Sequence, residues 1–260
     1  MFKHILIAHD LTTAADIALL RAAQLAKQHQ AQLTILHVQD TDLIDEQSFR
    51  QQLPNNGLEH AKILLKQGKP SDVMVAISKA YAVDLLVLGD HHQDSPSGFQ
   101  GTTLERVLQQ SKVPTLLAVN NTPQPYMRGL APLDFSKCAC KAFITAIQLM
   151  DVQGELHAIN VAEGAEVHGD ASTEDKEWEF SLLQQLIDDE LRQVKSSHAK
   201  VIAQVLHGEL ANCLNRVLQQ QQPELLALGR RGRGLMADVL LGSLATYFLA
   251  HPPCDVLLAS

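Results

Sequence analysis

The feature that most constrains this chain is that it repeats itself. The run His4-Ile5-Leu6-Ile7-Ala8 closes on His9 and Asp10, and a comparable run from Gly129 to Leu133 closes on Asp134. Residues 31–40, AQLTILHVQD, line up with 154–163, GELHAINVAE, which sets Val38 opposite Val161. Gly68 precedes Gly89 by 21 residues, and Gly208 precedes Gly229 by the same 21. VDLLVLGD (83–90) matches PELLALGR (223–230), and TLLAVN (115–120) matches DVLLAS (255–260). Landmarks that recur in one order predict two copies of one domain, residues 1–121 and 126–260, with NNTPQP (120–125) as the linker. A chain of 260 residues accommodates two domains of ordinary size.

Within each copy, short apolar runs alternate with amphipathic stretches such as 14–29, 70–82 and 103–111. The runs are continuously apolar rather than alternating, which marks strands buried on both faces. That pattern predicts an α/β fold with a parallel sheet and helices on both sides. In such sheets a ligand binds beyond the carboxyl ends of the strands. Asp10, Asp134, Val38, Val161, Gly89 and Gly229 all stand at such ends.

The copies differ in their middle. Asp10 to Asp134 is 124 residues but Gly68 to Gly208 is 140, so the second copy carries about 16 more. The extra material is acidic, with Lys176 the one cation between Glu163 and Glu190. Apolar residues at Trp178, Leu182, Leu183, Leu186, Ile187, Leu191 and Val194 predict one helical stripe over 172–194. The first copy has Pro54, Asn55, Asn56 and Gly57 in that place, which predicts a short or irregular helix.

After the strand ELLALG comes a loop of form G-x2-G-x9-G-S, built from Gly229, Gly232, Gly242 and Ser243, with Gly234 inside it. Glycines let backbone N–H groups approach an anion, and a helix beginning at Ser243 presents free amides and the positive end of its dipole. Taken singly, Gly229 could simply end a strand and Ser243 cap a helix. As an ordered set between a strand and a helix they point to phosphate.

The chain resembles the universal stress protein family in its tandem form, on Asp10 and Asp134, LHV (36–38) and INV (159–161), and the GRRGRG…GS loop. The resemblance implies two Rossmann-like or flavodoxin-like domains, each with a five-stranded parallel sheet, paired as an intramolecular pseudo-dimer, with a homodimer as a further option. It implies ATP, with Mg2+, as cofactor in the second copy. Asp134 and Val161 would hold the adenosine end, and Gly229, Arg230, Gly232, Gly234, Gly242 and Ser243 the phosphates. In the first copy Asp10 and Val38 remain, but His92 stands for Gly232 and Thr102 for Gly242. A Cβ at both places obstructs close backbone approach, so this copy is expected to bind ATP weakly or not at all.

Other classes find less support. A net charge of −8 disfavours nucleic acid as a partner, despite Arg230, Arg231 and Arg233. No run of about 18 apolar residues suggests a membrane span, and no secretory h-region follows the start, so the expected location is the cytoplasm. No Walker A loop, GxGxxG turn or GxSxG elbow is present, and no catalytic residue is assigned. His9, His91 and His92 could approach one another as metal ligands, but no metal is assigned to them. Cys138 and Cys140 lie within one helical turn with diverging side chains, and Cys254 reads as a small core residue. The expected function is an ATP-binding sensor that couples nucleotide to an unidentified protein partner, and the acidic segment 163–190, a candidate partner surface, is the cue for an interaction module instead. A pure interaction module and a slow or self-phosphorylating ATPase are the alternatives.

Overall fold

The apolar runs form strands and the amphipathic stretches form helices, in near-strict alternation. The computed structural model describes residues 1–39, 43–54, 58–90, 102–162, 173–194, 198–232 and 241–260. The chain divides into two units, Met1–Pro125 with Leu249–Asp255, and Tyr126–Phe248 with Val256–Ser260.

The first unit runs β1 (His4–Ala8), α1 (Thr13–His29), β2 (Gln32–Gln39), α2 (Glu46–Gln52), β3 (Lys62–Gln67), α3 (Pro70–Ala80), β4 (Leu85–Gly89), α4 (Thr103–Gln110) and β5 (Thr115–Ala118). Its strands lie in the order β3-β2-β1-β4-β5, and each of these neighbouring pairs is parallel. Ile5, Leu6, Ile7 and Leu85 to Val87 are fully buried, as expected of central strands covered on both faces.

The second repeat, whose segment Leu249–Asp255 is grouped with the first unit, runs β6 (Tyr126–Pro132), α5 (Lys137–Leu149), β7 (Met150–Ala162), α6 (Thr173–Leu191), β8 (Lys200–His207), α7 (Leu210–Gln221), β9 (Leu225–Gly229), α8 (Ser243–Ala250) and β10 (Asp255–Ala259). The order β8-β7-β6-β9-β10 is that of the first unit element for element. This is an α/β fold of parallel sheet flanked by helices, with the order reversing beside the first strand of each repeat. Such a reversal opens a crevice at the carboxyl ends of the two central strands.

Two details depart from the sequence reading. β7 starts at Met150 rather than near Gly154, and its register against β6 shifts between Tyr126 and Arg128. Gly154 permits that irregularity, because a Cβ there would stand 2.9 Å from the Met127 carbonyl oxygen. The predicted stripe on α6 is also narrower than its apolar residues suggest. Leu183 and Ile187 are buried, whereas Trp178 is 64% exposed. Nine residues at about 3.6 per turn put Trp178 half a turn away from Ile187. α2 has 7 residues against 19 in α6, so the contrast between the copies is in the helix itself.

Candidate functional site

Each unit closes its first strand with the same turn. Asp10 Oδ1 accepts the backbone N–H and the hydroxyl of Thr12, at 3.2 and 2.7 Å. Asp134 Oδ1 accepts the N–H of Ser136 at 3.0 Å. The residue between takes a left-handed backbone in both, with φ 66° at Leu11 and 63° at Phe135. Thr12 and Ser136 then cap the next helix, accepting from the Ala15 and Ala139 amides. The repeated aspartates therefore have a structural task in both copies, whatever else they do.

The end of the second strand is tied back to the same place. In the first unit His37 Nδ1 donates to the His9 carbonyl oxygen at 2.7 Å, and in the second Asn160 Nδ2 donates to the Leu133 carbonyl oxygen at 2.7 Å. A carbonyl oxygen only accepts, so each donor assignment is fixed by its partner. The His37 ring stacks on Phe49 of α2 with centroids 4.7 Å apart.

Gly89 and Gly229 share a packing requirement. A Cβ at Gly229 would stand 2.7 Å from the Ala139 amide nitrogen at the start of α5. One at Gly89 would run into the Ala14 carbonyl of α1. Gly232 is different, because among the described residues its added Cβ would meet only the Asp134 carboxylate, Oδ2 at 2.9 Å. Gly68 and Gly208, the other repeated pair, both take φ 127°, a backbone that suits glycine alone.

The last helix of each unit begins differently. In the first, Thr102 caps α4 with its own hydroxyl, which accepts the Glu105 N–H at 3.1 Å. In the second, the aligned residue is Gly242, which has no side chain to do this. The Gly242 carbonyl accepts the Thr246 N–H at 3.0 Å, and its own N–H donates to the Arg230 carbonyl at 2.8 Å. The amides of Ser243, Leu244 and Ala245 thus precede the first intrahelical donor and have no acceptor within α8.

A cavity of about 340 Å³ opens at this point in the second unit, within the usual range for small-molecule sites. Asp134, Val161, Gly229, Gly232, Gly242 and Ser243 all line it. So do Ala139 at the start of α5, Leu210 at the start of α7, and Leu244 and Ala245 at the start of α8. Three helices therefore begin at one space; the Ala139 amide of α5 is already taken by Ser136, so the open N–H groups that favour an anion are those at the start of α8, with the dipoles of the helices adding to them. Neither the Asn160 amide nor the Leu210 helix start was singled out from the sequence. The lining of the cavity is the only signal that finds them.

The arginines separate. Arg231 lines the cavity, and its carbonyl oxygen accepts from the Ser136 hydroxyl at 3.4 Å. Arg230 is buried, lies outside the lining, and donates its backbone N–H to the Ala259 carbonyl oxygen at 2.9 Å. Burial lowers its pKa, and the neighbouring Arg231 charge adds to the effect. Gly234, Arg233, His91 and His92 lie outside the described residues.

His9 is buried, with Nδ1 accepting the Leu11 N–H at 3.1 Å and Nε2 at 3.1 Å from Asp16 Oδ1. Its pKa is lowered, burial outweighing Asp16. Among the described residues no group of three or more His, Cys, Asp or Glu could hold a metal ion. The four cysteines are free, and burial, reinforced by Glu190, pushes the Cys140 thiol up to about 11. Among the described residues no helix is long and apolar enough to cross a membrane.

Comparison with known proteins agrees with this architecture. The chain matches the universal stress protein family over residues 1–53, 42–118 and 125–260. It is 33% identical over 123 residues to a universal stress protein A homolog from Pasteurella multocida, covering 40% of this chain and 86% of that one. A universal stress protein A homolog from Haemophilus influenzae is 34% identical over 138 residues, covering 45% and 96%. A universal stress protein structure from Archaeoglobus fulgidus superimposes over 99% of this chain and 98% of its own, with a TM-score of 0.70 at 19% identity. That last likeness bears on the fold alone, and with the family matches along nearly the whole sequence it leads to one statement: this chain belongs to the universal stress protein family.

Proposed function

We propose that the second unit binds ATP, accompanied by Mg2+, and that the chain works in the cytoplasm as a nucleotide-responsive regulatory module. The observation that carries this reading is the convergence of three helix amino ends on a cavity that also gathers Asp134, Val161, Gly229, Gly232, Gly242 and Ser243. In this reading the Ser243, Leu244 and Ala245 amides and the Ser243 hydroxyl take the phosphates. Gly232 lets the loop pass close to Asp134, while Asp134 and Val161 hold the nucleoside. Gly234 completes the loop, and Arg230 acts through its backbone, which joins β10 to the start of α8.

Binding rather than turnover fits the lining. Asp134 is the only acid among the described lining residues, and no histidine, cysteine or lysine accompanies it. A hydrolytic site would want a general base placed beside the attacked phosphate. The acidic helix α6, with Trp178 64% exposed, is the surface we assign to a protein partner.

The test is calorimetric titration of the full chain with Mg-ATP, beside Gly232→Val. Saturable binding in the wild type and at least tenfold weaker binding in the variant are expected. No heat of binding in the wild type would overturn the reading in favour of a pure interaction module.

A further inference from the structure

The cavity is polarised in a way the nucleotide reading does not by itself require. At the α8 side its polar groups are donors, the amides at the start of the helix. At the β6–β7 side the polar side chains are acceptors. One is the Asp134 carboxylate. The other is Asn160, which lines the cavity beside Val161. Its amide nitrogen is held by the Leu133 carbonyl oxygen at 2.7 Å, and because that carbonyl cannot donate, the side chain has one orientation. Oδ1 is the atom left over, and among the described residues it receives no hydrogen bond. A fixed acceptor of this kind prefers a ligand N–H or O–H and disfavours an oxo group, which would set two lone pairs against each other.

We propose that Asn160 is the specificity-determining residue of this site, its Oδ1 accepting a hydrogen bond from the nucleoside end of the ligand. The proposal rests on the nucleotide reading above. The donor has two sources in adenosine, the exocyclic amine or a ribose hydroxyl, and both are hydrogen-bond donors that the Asn160 oxygen would take. The repeat provides a contrast. His37 at the aligned position makes the same tie to a carbonyl, but its ring is stacked on Phe49.

The experiment titrates the full chain with ATP, ITP, 2′-deoxy-ATP and 3′-deoxy-ATP. ITP replaces the amine by an oxo group, and the deoxy forms remove one hydroxyl each. Wild type is compared with Asn160→Leu and with Asn160→His. The histidine variant keeps a donor for the Leu133 carbonyl, as His37 does in the first unit, and so guards against a merely misfolded strand end. The expected result is that wild type binds one of the three analogues at least about tenfold more weakly than ATP. In both variants ATP should fall to the affinity of that analogue and the discrimination should disappear. Equal wild-type affinity for all four nucleotides overturns the proposal while leaving the nucleotide reading intact. Discrimination that persists in both variants overturns it as well. No binding of any of the four overturns both.

Discussion

Gly229 and Gly232 stand three residues apart and face different neighbours, one backbone and the other a side chain. Gly229 faces the backbone of α5, with the Ala139 nitrogen 2.7 Å from where a Cβ would be. Gly229→Ala is therefore expected to cost about 1–3 kcal/mol of stability, because backbone must move to admit the methyl group. Gly89→Ala should behave alike in the first unit, whether or not any nucleotide is present. Gly232→Ala meets, among the described residues, a side-chain carboxylate rather than backbone, and should cost less stability than the other two while weakening nucleotide binding. Urea denaturation of the three variants checks the set, and equal losses at all three positions would remove the distinction.

At the scale of elements, the decisive contrast is between the starts of α4 and α8. Thr102 spends its hydroxyl on the Glu105 amide, whereas Gly242 leaves the corresponding Ala245 amide to the cavity. Gly242→Thr should cap α8 and stabilise the chain by about 0.3 kcal/mol, while reducing ATP affinity at least tenfold. Thermal melting and calorimetry on the same sample check both directions, and a variant that binds ATP normally would show that the open amides are not used. Strand and helix order, the short α2 and the long α6 were legible in the sequence, because continuous apolar runs, helical spacing and Pro54 carry that information locally. The face of α6 was less legible. Trp178 satisfies the spacing rule, yet its place opposite Ile187 depends on which neighbours lie beneath the helix. Of the cavity lining, Gly229, Gly232, Gly242 and Ser243 stand in the loop motif, and Asp134 and Val161 at strand ends that the sequence marks. Asn160 could not be found in this way, since nothing in a strand sequence tells whether an amide near its end is bound to a carbonyl. Nor could spacing distinguish Arg230, buried against β10, from Arg231 at the cavity.

For the whole molecule, the most informative pair is Arg21 and Asp255, which are buried together within the first unit although 234 residues apart. Arg21 Nε donates to Asp255 Oδ2 at 2.9 Å, and Asp255 Oδ1 accepts the Val119 and Asn120 amides, each at 2.8 Å. Asp255→Ala should destabilise the first unit by about 3–5 kcal/mol, because it leaves a buried guanidinium without its counter-charge. Chemical denaturation followed by hydrogen exchange in β1 and β5 would register the loss, and unchanged protection there would refute it. The same pair sets an order of events during synthesis. Domains commonly fold as they emerge, the earlier one first. Here the first unit includes Leu249–Asp255, so Asp255 is made only after nearly all of the second unit. At typical rates of about 5–20 residues per second that interval is on the order of ten seconds. During it, the earlier-made half of the chain lacks the carboxylate that Arg21 and the Val119 and Asn120 amides engage in the finished protein.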